Sequence, residues 1–139
     1  MAKHKDLPGF ARKRGILFGR KTSKERLRQA GEGFLEAGRY YDALEFIERA
    51  GATDLAERVG RLAIDAGDTA LLMRARKVLR RETTREEWAR VAANAEKAGL
   101  YSAAYLAHTK AGNQDEAARV HALMPGVREV KPEEAAEKP

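Results

Sequence analysis

From Thr22 onward the apolar residues recur at the 3, 4 and 7 spacing of one helical face, and single glycines or short polar breaks divide the runs. Helix one, about 23–37, aligns Leu27, Ala30, Phe34 and Leu35 and ends at Gly38, a residue that tolerates the left-handed C-terminal cap. Helix two, about 40–50, turns Tyr40, Ala43, Leu44 and Ile47 inward and stops at Gly51. Helix three, about 55–66, is expected to be capped by Asp54, to bury Leu55, Val59, Leu62, Ala63 and Ala66, and to close at Gly67. Helix four, about 69–81, starts at Asp68 or Thr69 and carries Leu71, Leu72, Ala75 and Leu79. Helix five carries Trp88, Val91, Ala92 and Ala95, and helix six, opening near Tyr101, carries Tyr101, Ala104, Tyr105 and His108. Helix seven, about 114–124, offers Ala117, Val120 and Leu123 before Pro125-Gly126. Connections of two to four residues force neighbouring helices antiparallel, so the pattern predicts an all-α fold of about seven helices arranged as hairpins.

The pattern also repeats itself 61 residues further on. Ala37-Gly38-Arg39-Tyr40 returns as Ala98-Gly99-Leu100-Tyr101, and Ala50-Gly51 returns as Ala111-Gly112. Asp54, Ala56, Arg58 and Val59 return as Asp115, Ala117, Arg119 and Val120. Upstream, Thr22-Ser23-Lys24-Glu25 parallels Thr83-Thr84-Arg85-Glu86. Thr22 with Glu25, Thr83 with Glu86 and Thr84 with Glu87 each have the spacing of a capping box, in which hydroxyl and carboxylate satisfy two unpaired N–H groups. A fixed period marks stacked supersecondary units, two hairpins to a period here, and points to a surface for binding rather than a pocket for chemistry.

Charge changes the picture at the N-terminus. The chain has 139 residues and a formal charge of +6, yet residues 1–28 hold ten Lys/Arg against Asp6 and Glu25. The remainder holds seventeen basic and nineteen acidic residues and is close to neutral. Residues 1–21 read as a basic arm without sustained periodicity, broken by Pro8-Gly9, Gly15 and Gly19. The same breaks argue against the amphipathic helix of a mitochondrial transit peptide. Residues 22–126 read as the helical domain, and residues 127–139, poor in apolar side chains, as a disordered tail. No apolar run approaches the roughly 18 residues of a spanning helix, so no membrane insertion is expected. With no cysteines there is no disulfide or thiolate chemistry, and a reducing cytoplasm is the expected location.

The hairpins resemble tetratricopeptide (TPR) repeats, in which large and small packing residues alternate through a helix pair. Leu27, Ala30-Gly31 and Phe34, then Ala43, Ile47 and Ala50, follow that alternation in hairpin one. Trp88, Val91-Ala92, Ala104, His108 and Ala111 follow it in hairpin three, and Val59, Leu62-Ala63, Ala75 and Leu79 do so less fully in hairpin two. Ala66 and Ala95 replace the family's large aromatic, its terminal Pro is missing, and hairpins start 32 and then 29 residues apart instead of at a constant 34. The resemblance implies a TPR-like α-solenoid, a right-handed stack of hairpins with a concave groove for peptides or helices of another protein. It places Glu25, Arg28, Glu32, Glu86, Ala89, Ala93 and Glu96 on that groove. The Lys/Asn ladder of relatives that clamp a C-terminal carboxylate is absent there.

No reactive constellation accompanies the repeat. His108 takes the place of Ile47 and reads as a packing histidine, while His108 and His121 near Asp115 and Glu116 match no metal-ligand spacing. There is no phosphate loop, nucleophile elbow or dinucleotide fingerprint, so no catalytic, cofactor-binding or metal residue is expected. Two basic clusters remain as candidate partner-binding residues. One is Arg12, Lys13, Arg14, Arg20, Lys21, Lys24, Arg26 and Arg28, interleaved with Phe10 and Phe18, and the other is Arg74, Arg76, Lys77, Arg80, Arg81 and Arg85. Another protein is the expected partner, with Phe10, Ile16, Leu17 and Phe18 folding back over the end of the stack. Nucleic acid, or a ribosome, bound through the arm and the Arg74–Arg85 segment is the alternative.

Overall fold

The computed structural model describes residues 9–18 and 22–125; the tail from 127 onward lies outside them. Among the described residues every regular element is helical: α1 (Phe10–Phe18), α2 (Lys24–Glu36), α3 (Tyr40–Ala50), α4 (Thr53–Ala66), α5 (Thr69–Leu79), α6 (Arg85–Lys97), α7 (Tyr101–Ala111) and α8 (Gln114–Leu123). That is one helix more than expected, because the supposedly aperiodic arm holds α1. Its Ile16 is buried in the main core, and Lys13 reaches Asp42 at 2.5 Å and Glu45 at 3.3 Å on α3. Tertiary contact thus stabilises a helix that local pattern does not announce.

The 61-residue period is carried into the element limits. α2 and α6 share both limits at that offset, as do α3 and α7, and α8 begins 61 residues after α4. Gly38 and Gly99, which end the first helix of each unit, take φ of 74° and 73°. The caps differ in detail from the expectation. Ser23, not Thr22, accepts from the Arg26 N–H, and Thr84 with Glu87 forms the capping box of α6. Asp54 is not a cap: Ala52 holds that position, and Asp54 lies in the first turn. Asp68 caps α5 by accepting from Leu71, and α5 ends at Leu79 with Arg80 in the left-handed conformation, two residues short of the expected limit.

Each of α2, α4 and α6 packs chiefly on the helix that follows it, and the short connectors make these pairs antiparallel hairpins. Contacts then run between alternate helices, α1 on α3, α3 on α5, α5 on α7 and α4 on α6, so the helices fall into two rows. Phe34, Leu44, Phe46, Ile47, Val59, Leu72, Val91 and Val120 are buried between the rows, with the Phe34 and Phe46 rings stacked at 5.2 Å. Three residues expected inside are exposed. Ala66 lies at the end of α4, while Tyr105 (38% exposed) and Leu123 (51%) lie at the α7–α8 end, beyond which no described helix packs. No described helix is long and apolar enough to cross a membrane.

Candidate interaction surfaces

Side chains on α2, α4, α6 and α8 are largely committed to joining those helices. The Arg28 guanidinium donates to both carboxylate oxygens of Asp54 at 2.9 and 2.7 Å and to Glu32 at 3.0 Å, tying α2 to α4. This fork brings Asp54 down to about 2, the hydrogen bond from Arg28 being the main cause. Asn94 donates to the Ile64 carbonyl at 2.7 Å, tying α6 to α4. Arg119 on α8 donates to Glu96 on α6 at 2.5 Å and bonds Glu116 at 2.6 Å. Glu96 also meets Nε2 of the buried His108 at 3.2 Å. Burial would raise Glu96, but Arg119 and then His108 hold it below its ordinary value.

Glu96, His108 and Glu116 bring three donor atoms within 4.8 Å of one another. The grouping is the nearest thing to a metal-type cluster among the described residues, and it differs from the His108–His121 pairing weighed in the sequence. His121 is instead exposed and leans its ring on Tyr105 at 5.3 Å. The Arg119 guanidinium contacts both carboxylates, so a protein cation already offsets part of their charge.

Of the sequence-predicted surface residues, Arg76 is the clearest displacement. It is buried (4% exposed), pairs with Glu57 at 3.3 Å and with Glu87, and so joins α4, α5 and α6 from inside. Gly60 leaves it room, since a Cβ there would lie 3.0 Å from Nη1. Burial favours a neutral Glu87, yet hydrogen bonds from the Thr84 N–H and from Arg76 lower it overall. Arg81 is half exposed and bonds Glu57 at 2.6 Å, and Arg85 donates to the Ala111 carbonyl at 2.8 Å. Lys13 is engaged with Asp42 and Glu45, while Arg12 and Arg14 are exposed. Phe10 and Phe18 bound α1, but their side chains, together with Arg20 and Lys21, lie outside the described residues. Glu25 accepts weakly from Gln29 at 3.4 Å, and Glu86 is exposed in the first turn of α6.

A shallow cleft crosses α2 and α4, bordered by Arg28, Glu32, Glu36, Asp54, Leu55, Arg58 and Arg61. It brings together Arg28 and Glu32 of the expected groove, whereas Glu86 and Glu96 stand apart on α6. A second cleft, beside α7, is bordered by Glu82, Thr83, Arg85, Trp88, Lys110 and Ala111. Neither collects the convergent, water-excluded polar groups of a catalytic centre. No family model, curated protein or solved structure matches the chain.

The Arg74–Arg85 cluster expected from the sequence is part of a wider basic surface on the other row. α1, α3, α5 and α7 carry eight basic and three acidic residues, against nine and eleven on α2, α4, α6 and α8. Tyr41, Met73 and Tyr105, all more than a third exposed, lie on α3, α5 and α7 of the basic row. Tyr41 and Met73 lie outside the apolar faces expected for their helices, whereas Tyr105 was expected inside and is exposed.

Proposed function

We propose that the protein is a non-enzymatic interaction module, a TPR-like right-handed α-solenoid that acts as a cytoplasmic adaptor through its α2–α4–α6 surface. The observation that carries this reading is the 61-residue period, kept in the limits of α2/α6 and α3/α7. Selection that preserves helix limits and small packing residues while exposed positions diverge is the behaviour of a scaffold. The mixed-charge cleft of Arg28, Glu32, Arg58 and Arg61 supports a polar peptide segment as the bound element, and the basic α1 adds electrostatic attraction. A photo-crosslinking phenylalanine analogue at Arg61 should yield a discrete protein adduct in cells, weakened when Arg58 becomes Glu. Absence of adducts from every position tried on α2, α4 and α6 would reject the reading.

A further inference from the structure

We infer that the outer face of α5 and α7 docks single-stranded RNA. Arg74, Lys77, Arg80 and Lys110 would neutralise phosphates, and Tyr41 and Tyr105 would stack on unpaired bases at its two edges. This face is distinct from the α2–α4–α6 surface, so the inference stands or falls separately from the adaptor reading.

Three observations carry it. First, the two helices that form the face carry cations and no acids of their own. α5 and α7 contain no Asp or Glu, and among the described residues Arg74, Lys77, Arg80 and Lys110 form no ion pair. The arginines that do pair, Arg76 and Arg81, take up Glu57 and Glu87 on the inner side. Second, the cations share a stripe with exposed rings. Ala70, Met73, Arg74 and Lys77 are exposed at the 3, 4 and 7 spacing along α5. Tyr41 feels the charge of Asp68 and then that of Arg74, and Tyr105 occupies the same place in α7 as Met73 in α5. Third, α3, α5 and α7 contact one another in turn and so form one continuous row. With interaxial distances of about 8–10 Å, α3 to α7 spans roughly 20 Å, room for a short stretch of single strand.

These features decide between occupants. A duplex hides its base faces, so exposed tyrosines would have nothing to stack on, whereas an unpaired strand offers a π-face at every nucleotide. An acidic helix would need an apolar surface to seat its other face, and the exposed α5 stripe of Ala70, Met73, Arg74 and Lys77 offers a single large apolar side chain. RNA is the nucleic acid recognised mainly through unpaired stretches, and the exposed hydroxyls of Ser102 and Thr109 beside Tyr105 suit its 2′-OH.

The test is fluorescence anisotropy of the full chain with labelled oligouridylate, oligothymidylate, a duplex and a polyglutamate peptide. Four neutralised phosphates predict a log–log salt slope of about −2.8 on single strands, halved in the Arg74→Glu/Lys77→Glu double variant. That variant should bind oligouridylate at least tenfold more weakly, and Tyr105→Ala roughly tenfold more weakly. Arg58→Glu/Arg61→Glu makes the same net-charge change on the other row and should leave affinity within about twofold. All of these side chains are exposed, and circular dichroism verifies that each variant folds. The inference is overturned by no oligouridylate binding at low salt, or by equal loss in the two double variants. Tighter binding of oligothymidylate, duplex or polyglutamate than of oligouridylate would overturn it equally.

Discussion

Gly67 ends α4 with φ of 70°, and a Cβ added there would lie 2.4 Å from the backbone nitrogen of Ala95 and 2.5 Å from its Cα. Gly38 has nearly the same φ, 74°, but nothing within 4 Å of its added Cβ. The two glycines therefore separate conformational strain from steric strain. Gly38→Ala should cost about 1–2 kcal/mol, the left-handed penalty alone. Gly67→Ala must also push α6 away and should cost roughly 3–4 kcal/mol, read as a lower urea midpoint. Equal losses would mean that α6 yields without penalty. In the sequence both glycines read alike, as helix closures, because the neighbour that distinguishes Gly67 belongs to another helix. Arg76 was illegible for the same reason. It sits where α3 has Ile47 and α7 has His108, and a buried arginine is credible only once its carboxylate partners are known. Those partners, Glu57 and Glu87, lie on α4 and α6.

At the scale of elements, α2 to α8 were readable because each combines a periodic apolar face with a glycine or polar break. Their limits moved most at the start of α4, where Ala52 and not Asp54 is the cap, and at the end of α5, where Arg80 takes the left-handed conformation. α1 was not readable: its first turn lacks an acid and Gly15 interrupts it. Its attachment rests on Ile16, on Lys13 bonded to Asp42 and Glu45, and on the Lys13 ammonium 5.9 Å from the Phe34 ring centre. Ile16→Asp removes an apolar contact worth about 1.5–3 kcal/mol, which shifts the docking equilibrium roughly 10- to 100-fold. Trypsin should then cut at Arg12, Lys13 and Arg14 at least tenfold faster, while far-UV circular dichroism loses about one helix. Unchanged cleavage would mean that α1 docks without Ile16.

At the scale of the whole molecule, the linear sequence places the charge asymmetry in the arm, but the fold reveals another between the two helix rows. Arg74 and Lys77 already stand together in the sequence, and the contact of α5 with α7 adds Lys110 to them. Ion pairs also run through the stack. Asp42 links α3 to α1, Asp54 links α4 to α2, Glu87 links α6 to α5, and Glu96 links α6 to α8. All four carboxyls are held below their ordinary values, 3.8 for Asp and 4.5 for Glu. For Asp42, Glu87 and Glu96 burial opposes the shift; the paired cations outweigh it at Asp42 and Glu96, the Thr84 N–H and then Arg76 do so at Glu87, and for Asp54 the Arg28 fork leads. Each group therefore binds its proton less readily in the folded chain than in the unfolded one. Their contribution is complete above the unfolded values and disappears as pH falls through the folded ones. Stability should be level from pH 7 to about 5 and then decline steadily toward pH 2, where even Asp54 protonates. Because the four links are spread from α1 to α8, three joining alternate helices and one joining α5 to α6, acid should loosen the helices along the whole chain rather than at one end. Hydrogen exchange at pH 3 is expected to rise in α1, α2, α6 and α8 together. Replacing the four carboxylates by their amides should lower stability at pH 7 and flatten the acid limb, and an acid limb unchanged in that variant would show that other groups drive acid unfolding.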